Sequence, residues 1–133
     1  MKYLLDTNVC VTFLNHRNAL LDQRYLAVPA QDKIICSIVR AELLYGAFKS
    51  QRQPNSLLQM ETFLAGHPNL DFDAPAARFY GELRADLEKK GTPIGAYDMQ
   101  IAAIALANNL IIVTHNVSEF RRVPNLLWED WEV

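Results

Sequence analysis

The sequence predicts an α/β fold with a mostly parallel central sheet, and three observations support that fold class. Short apolar runs at residues 3–5, 34–36 and 110–113 have the length of buried strands. Longer stretches with helical periodicity separate these runs, which is the usual order of elements in parallel sheets. Half of the 133 residues are apolar or aromatic and 21% are charged, which is the composition of a globular protein. We therefore expect one domain that spans residues 1–133.

The first half of the chain is predicted to contain two units in which a strand precedes a helix. Asp6, Thr7 and Asn8 follow the first apolar run, and all three favour helix N-caps. Ser37 follows the second run and is the predicted cap of the next helix. The elements expected here are a strand at 3–5, a helix at 9–14, a strand at 34–36, a helix at 38–48 and, after a polar joint at 51–56, a helix at 57–64.

The second half is predicted to add one long helix, one buried helix and the remaining strands. Residues 70–72 are expected to form a short strand. Asp73, with Pro75 two residues later, is a strong helix start, and Gly91 is the expected end of that helix. The elements that follow are a buried helix at 97–108, a buried strand at 110–113 and an edge strand at 126–128.

Charge and cysteine content give expectations about compartment and partners. The net charge of −2 does not suggest a nucleic-acid binder, because such domains are commonly basic. Cys10 and Cys36 show no CxxC spacing, which favours a reduced compartment. Asp6 ends the first apolar run before a signal peptide could form, and no apolar run approaches the roughly 20 residues of a membrane span. We expect a cytoplasmic protein without membrane segments.

Three acidic residues occupy positions where carboxylates carry chemistry in α/β folds. Asp6 ends the first strand, where ligands of such sheets gather. Glu42 lies on the apolar side of the predicted helix at 38–48, and Asp98 is the only charged residue of the helix at 97–108. Each acid also has a simpler explanation. Asp6 could cap its helix, and Asp98 could be an N-cap or a first-turn acid that the helix dipole stabilises. Glu42 could be an exposed residue at the helix rim that pairs with Lys49.

Taken together, the three acids indicate a cation site. Two carboxylates about 5 Å apart repel each other by roughly 3 kcal/mol at an effective dielectric constant of 20. A cluster of three therefore requires protonation or a bound cation. Carboxylate oxygens suit Mg²⁺ or Mn²⁺, so we expect one of these ions as cofactor.

Four segments of the chain resemble those of PIN-domain ribonucleases, in particular the VapC toxins of toxin–antitoxin pairs. The segments are LLDTN at 4–8, SIVRAELLYG at 37–46, GTPIGAYDMQIAA at 91–103 and IVTHNVSEF at 112–120. They occur in the order of the family and span the chain. The resemblance implies a PIN-like α/β/α sandwich and a Mg²⁺- or Mn²⁺-dependent endoribonuclease, which hydrolyses RNA phosphodiester bonds with a metal-activated water. A tRNA is the substrate class that the third segment suggests.

The resemblance also assigns roles to individual residues. Asp6 and Asp98 match the metal-holding aspartates of the family, Glu42 matches its acidic helix residue and third metal ligand, and Asn116 stands at a fourth position that is Asp in many relatives. We expect Asp6, Glu42, Asp98 and Asn116 to form the catalytic site. Nearby Glu119 is expected to be a solvated surface residue rather than a substitute acid.

Several other residues near these segments have two possible roles. Thr114 either orients a water or satisfies the backbone of a turn. Tyr45 and Tyr97 either stack on bases or, as we favour, pack in the protein. The cations proposed to contact RNA follow active-site segments or precede the GTPIG loop, and each is equally explained as a solvated charge: Lys49, Arg52, Lys89, Lys90, Arg121 and Arg122.

The resemblance further implies a cognate VapB-like antitoxin and a homodimer, with residues 51–64 and the neighbouring helices as candidate surfaces. Two alternatives remain open: a catalytically silent RNA-binding or interaction domain on the same fold, and a housekeeping PIN nuclease without an antitoxin. A signalling receiver and a DxDx[TV] phosphatase are excluded, since Thr7 and Asn8 stand where these classes require an acid.

Overall fold

The computed structural model describes all residues, 1–133, as an α/β protein with one central sheet. Five strands, β1 (Tyr3–Leu5), β2 (Lys33–Cys36), β3 (Asn69–Leu70), β4 (Ile111–Val113) and β5 (Leu127–Glu129), lie in the order β3-β2-β1-β4-β5. Every neighbouring pair is parallel. The predicted α/β fold class with a parallel central sheet is confirmed.

The helices follow the strands in the alternation that the sequence predicts. They are α1 (Thr7–Leu14), α2 (Ala19–Ala27), α3 (Ser37–Lys49), α4 (Asn55–Ala65), α5 (Ala74–Lys89), α6 (Ala96–Asn108) and α7 (Val117–Phe120), with a 3-10 turn at Ala30–Asp32. Gly91 ends α5 in the left-handed region at φ 68°, where glycine avoids the strain that a Cβ would cause. None of these helices is long and apolar enough to cross a membrane.

Two helices were not predicted, and both have a weak sequence signal. Helix α2 buries only Leu21 and Tyr25, because one face of a nine-residue helix contacts the core. Its N-cap is Asn18, whose side chain accepts a hydrogen bond from the backbone N–H of Leu21. Helix α7 is a single turn of four residues that buries Phe120. Hydrophobic periodicity cannot identify elements with so few buried positions.

The core explains why the strands are short and wholly apolar. Strands β2 and β4 are buried at every position, since helices cover both faces of the sheet. Helix α6 lies deepest, with Ile101, Ala102, Ala103, Ile104 and Ala105 all buried. Its alanines allow it to approach the sheet and the long helix α5 closely. One continuous core of 28 buried residues results.

The connections of the sheet define where a ligand would bind. From β1 the chain proceeds to β2 and β3 on one side, and it then returns to place β4 and β5 on the other side. This reversal puts the switch point between β1 and β4. Their carboxyl ends carry Asp6, whose backbone N–H donates to the carbonyl of Val113, and Thr114. Clefts beyond such points are the usual ligand sites of parallel sheets.

Candidate active site

Asp6 lies at the switch point and is almost entirely buried, with 5% of its surface exposed. It caps α1, because its Oδ1 accepts a hydrogen bond of 2.8 Å from the backbone N–H of Val9. Burial raises the pKa of Asp6 to about 6, and the charges of Glu132 and Glu42 act in the same direction. Hydrogen bonds from Thr114 and Val9 oppose this rise. Asp6 therefore caps α1, as one interpretation held. Its carboxyl group is nevertheless buried and ionises less readily than that of a free aspartate.

Glu42 projects from α3 toward the same end of the sheet. Its Oε1 accepts a hydrogen bond of 2.8 Å from the hydroxyl of Thr7, the first residue of α1. This bond joins α1 to α3 and fixes the half-buried carboxylate. Glu42 forms no ion pair with Lys49, whose Nζ instead lies 5.7 Å from the centre of the Tyr45 ring. The alternative that Glu42 only pairs with a helix-end lysine is wrong.

Asp98 stands in the first turn of α6, and its side chain is within hydrogen-bonding reach of Glu119. Gly95 occupies the cap position, so of the two simpler explanations the N-cap is wrong and the first-turn acid is confirmed. The pKa of Asp98 is raised to about 7, mainly by burial and in addition by the hydrogen bond and charge of Glu119 and the charges of Asp6 and Glu42. The pKa of Glu119 is lowered by hydrogen bonds from Asp98 and Asn116. Of the two carboxyl groups, the more buried Asp98 is the one that holds a proton more tightly.

Glu119 corrects an expectation from the sequence. We expected a solvated surface residue, whereas α7 turns this carboxylate toward Asp98 and Asn116. The signal in the sequence was its position three residues after Asn116, which permits a contact within one helical turn. Only the docking of α7 beside the start of α6 makes Glu119 part of the acidic group.

Asn116 contacts the acidic group through Glu119. Its Nδ2 donates to Oε2 of Glu119 at 2.7 Å, and its backbone N–H donates to Oγ1 of Thr114 at 2.9 Å. Thr114 is fully buried, and its hydroxyl hydrogen-bonds to Asp6. A hydroxyl has one proton, so Thr114 cannot donate to a water while it donates to Asp6. Thr114 satisfies the turn, as one interpretation held, and also orients Asp6.

These four carboxylates form what we call the acidic cluster: Asp6, Glu42, Asp98 and Glu119. Burial raises the pKa values of Asp6 and Asp98, and the charges of neighbouring acids add to this rise, whereas Arg122 helps to lower the pKa of Glu119. The donor set is carboxylate oxygen with no sulfur or imidazole. Such a set fits Mg²⁺ or Mn²⁺.

A second group of possible ligands lies near Asp6 and was not predicted. His115, Asp130 and Glu132 bring one ligand atom each within 4.8 Å of one another. His115 Nδ1 lies 2.9 Å from Oδ2 of Asp130, and this partner raises the pKa of the exposed imidazole. Protonated His115 therefore offsets part of the negative charge of this group.

Comparisons with known proteins identify the family. A family model described as PIN domain matches residues 3–126. The chain belongs to the PIN-domain family. It is 41% identical to Ribonuclease VapC2 of Rickettsia felis over 133 residues, with 99% of each chain covered. It is also 41% identical to the tRNA(fMet)-specific endonuclease VapC of Shigella flexneri over 132 residues, with 98% of each chain covered.

Solved structures agree with this family assignment. The DNA-bound VapBC structure from Salmonella typhimurium superposes with a TM-score of 0.92 at 38% identity, and 98% of each chain is covered. VapBC2 of Rickettsia felis, bound to a promoter DNA fragment, gives a TM-score of 0.90 at 40% identity, covering 98% of this chain and 99% of that one. The predictions of a PIN-domain nuclease of the VapC family and of its α/β/α fold are confirmed.

The PIN-domain surface around the cluster carries both aromatic and basic side chains. Tyr45 and Tyr97 are 66% and 60% exposed, so the packing role favoured for them is wrong. Arg122 donates from its guanidinium to the carbonyl of Pro93 at 3.0 Å, which joins α7 to the loop before α6. Lys90 is the partner of Asp86 at 3.0 Å and is an ordinary helix-end ion pair.

Proposed function

We propose that this VapC-family protein is a Mg²⁺- or Mn²⁺-dependent endoribonuclease toxin that hydrolyses RNA phosphodiester bonds. The acidic cluster is the observation that carries the proposal. The charges of Glu119, Asp6 and Glu42 act on Asp98, and the pKa values of Asp6 and Asp98 are raised to about 6 and about 7. Among the charges that act on Asp6, Asp98 and Glu119, the one cation is Arg122, which acts on Glu119. A site that holds this much negative charge next to a polyanionic substrate requires a divalent cation.

The roles of the chain's own residues follow from their positions. Asp6, Asp98 and Glu42 would hold the metal, and Asn116 would act with Glu119 to complete the catalytic set. A bound Mg²⁺ or Mn²⁺ supplies charge neutralisation on the phosphoryl oxygens and lowers the pKa of a coordinated water. Thr7 fixes Glu42 and Thr114 fixes Asp6, so two carboxylates are oriented before substrate binds. Because metal ligands must be deprotonated, Asp98 would bind the metal as a carboxylate.

Substrate and partners belong to the same proposal. One relative is named a tRNA(fMet)-specific endonuclease, which makes a tRNA the substrate class to test first. Several solved relatives are VapBC toxin–antitoxin structures, and we infer a cognate VapB-like antitoxin for this chain. Residues 51–64, where Leu58 is 67% exposed, are a candidate partner surface. We also propose that residues 1–133 act as one domain, in a cytoplasmic homodimer.

The test is RNA cleavage by the purified chain, freed of antitoxin, with total tRNA as substrate. We expect cleavage with Mg²⁺ or Mn²⁺ and none with EDTA. The new ends should be a 3′-hydroxyl and a 5′-phosphate, because water rather than the ribose 2′-hydroxyl attacks. Cleavage in EDTA that leaves 2′,3′-cyclic phosphates would contradict the mechanism.

A matched pair of variants locates the site. Asp98→Asn should reduce cleavage by more than the roughly 10- to 100-fold typical of residues that only orient metal ligands. Asp86→Asn removes an acid of α5 that pairs with Lys90 outside the cluster, and it should leave cleavage unchanged. Circular dichroism checks that both variants fold. A folded, antitoxin-free wild type that cuts no RNA would favour a catalytically silent binding domain.

A further inference from the structure

Two grooves open on either side of Glu42, and their linings differ. One runs between α1, α3 and α4 and is lined by aliphatic, small and polar residues such as Val11, Leu14 and Met60. The other has a volume of about 530 Å³ and lies between α3 and the start of α6. It is lined by Thr7, Ile38, Ala41, Glu42, Tyr45 and Tyr97, and we call it the aromatic groove.

The aromatic groove presents flat apolar surfaces to solvent. Tyr45 is 66% exposed and Tyr97 is 60% exposed, although aromatic side chains of this size usually contribute to a core. Ile38 and Ala41 supply an aliphatic surface between them. Stacking on a planar partner would bury these rings without any rearrangement of the core.

The groove is also continuous with the acidic cluster. Glu42 lines the groove and belongs to the cluster, while Tyr97 directly precedes Asp98 in α6. A nucleotide whose phosphate reaches the cluster would therefore have a neighbouring base within the groove. Lys49 stands beside Tyr45, with its Nζ 5.7 Å from the ring centre, and adds a cation for the adjoining backbone.

We propose that the aromatic groove binds one unstacked nucleobase of the RNA next to the bond that is cut. The proposal rests on the proposed ribonuclease function and adds a base-binding subsite to it. Base-on-aromatic stacking tolerates any base, because every base has a π-face. The Thr7 hydroxyl already donates to Glu42, and Glu42 can only accept hydrogen bonds when ionised. The subsite therefore selects an unpaired nucleotide more strongly than it selects a particular base.

The experiment follows binding and cleavage of one probe by stopped flow. The probe is a single-stranded RNA decamer that contains 2-aminopurine, whose fluorescence falls on stacking, mixed with excess protein in Mg²⁺. For Tyr97→Ala and Tyr45→Ala we expect the affinity for the probe to fall by about 5- to 150-fold. Tyr97→Phe and Tyr45→Phe keep the ring and should retain most of the quenching and the cleavage rate.

Phe48→Ala is the matched control. Phe48 lies on α3 like Tyr45 and is 57% exposed, but it does not line the aromatic groove. This variant should bind and cut the probe within about twofold of the wild type. Circular dichroism of each variant separates a local loss of stacking from a loss of fold.

The outcomes separate this subsite from the nuclease itself. If wild type quenches the probe through the tyrosines but does not cut RNA, the subsite stands and the proposed function fails. If wild type cuts RNA and both alanine variants bind and cut like Phe48→Ala, the subsite is overturned and the nuclease stands. Alanine variants that lose a co-purifying antitoxin but bind the probe normally would assign the groove to a protein partner and overturn the proposal.

Discussion

Polar side chains lie at both ends of the central sheet, but their surroundings differ. At one end they form hydrogen bonds within the protein, and at the other end carboxylates of like charge lie near one another. At the amino end, Lys33 begins β2 and its Nζ donates to the carbonyl of Tyr25 at 2.8 Å, while lying 3.6 Å from the centre of the Tyr25 ring. His67 Nδ1 donates to the carbonyl of Phe63 at 2.8 Å, so its Nε2 accepts from the Tyr25 hydroxyl. The side-chain polar atoms of these three residues have partners within the protein.

At the carboxyl end, the acidic cluster places like charges together. Asp6 and Asp98 hold protons more tightly than free aspartate, because burial and neighbouring carboxylates disfavour their ionised forms. The polar groups at the amino end are paired within the protein, whereas the carboxylates at the carboxyl end disfavour one another's ionisation. Buried polar groups indicate a functional site only where the protein itself provides no partner for them.

The largest expected effect is a loss of stability caused by a substitution at the amino end of the sheet. Tyr25 is 7% exposed and stacks on Phe13 with ring centres 3.6 Å apart. Tyr25→Ala should lower the free energy of unfolding by about 3–5 kcal/mol, because it leaves a cavity and removes the partner of His67. Urea denaturation measures this loss. Leu26→Ala, at the next residue and 74% exposed, should change stability by less than about 0.5 kcal/mol.

The same variant distinguishes structure from chemistry. Cleavage per folded molecule should be unchanged in Tyr25→Ala, since the acidic cluster lies at the other end of the sheet. A loss of cleavage in the folded fraction would show that the two ends are coupled.

A smaller expected effect is the loss of stability that results when the buried acidic cluster ionises. The pKa of Asp6 is raised from 3.8 to about 6, so the folded state holds a proton that the unfolded state releases between these values. Stability without metal should therefore fall as the pH rises through this window and stay low above it. For Asp6 the full loss is about 3 kcal/mol at most.

Asp6→Asn tests this cost directly. Asn can still cap α1, and it removes the charge. Thermal unfolding in EDTA at pH 8 should give a variant at least as stable as wild type, with a flatter dependence on pH. Added Mg²⁺ should stabilise wild type more than the variant, because only wild type keeps the complete carboxylate set. A variant that is less stable than wild type in EDTA would contradict the cost assigned to Asp6.

The third prediction tests whether the hydrogen bond from Thr7 positions Glu42 for cleavage. Thr7→Val keeps the branched shape of the side chain but removes the hydroxyl that donates to Glu42. Cleavage should fall by roughly 10- to 100-fold, as for other residues that orient metal ligands. Thr12→Val, which changes a half-buried threonine of α1 away from the cluster, is the control. Equal cleavage by the two variants would mean that Glu42 needs no support from Thr7.

The accuracy of the sequence predictions depended on how each residue is buried. Strands β1, β2 and β4 lie under helices on both faces, so they appear as continuous apolar runs that sequence alone can identify. Asp6 directly follows β1 and Asp98 is the only charged residue of α6, so the sequence could single out both as candidates. Helix α2 was missed because it contributes only Leu21 and Tyr25 to the core.

Tertiary contacts explain the remaining errors. Glu119 enters the cluster only because α7 docks beside the start of α6, and nothing in its local sequence encodes that contact. Tyr45 and Tyr97 adjoin apolar helix faces, which suggested packing, yet no other element covers them. Periodicity indicates which face of a helix is apolar, but it does not tell whether the fold covers that face. The roles of Asp6, Glu42, Asp98 and Asn116 stay predictions until the variants are measured.

The smallest expected effect is a pH dependence of stability whose sign is opposite to that of the acidic cluster. Burial lowers the pKa of His67, and the charges of Lys33 and Arg40 act in the same direction. Below pH 6.5 the unfolded chain therefore binds a proton that the folded state resists, and stability falls as the pH drops. Protonation also removes the acceptor lone pair that receives the Tyr25 hydroxyl. Because His67 is only half-buried, solvent weakens this effect, and we expect it to be smaller than that of Asp6.

His67→Gln isolates this contribution, because the other titrating groups are the same in both proteins. The difference in free energy of unfolding between wild type and variant should change between pH 7 and pH 5, in the direction that disfavours wild type at pH 5. The acidic cluster stabilises the metal-free protein over the same change, so the two ends of the sheet respond to pH with opposite sign. A difference that is constant with pH would mean that His67 titrates alike in the folded and unfolded states, and the amino end would then be indifferent to pH rather than opposed to the cluster.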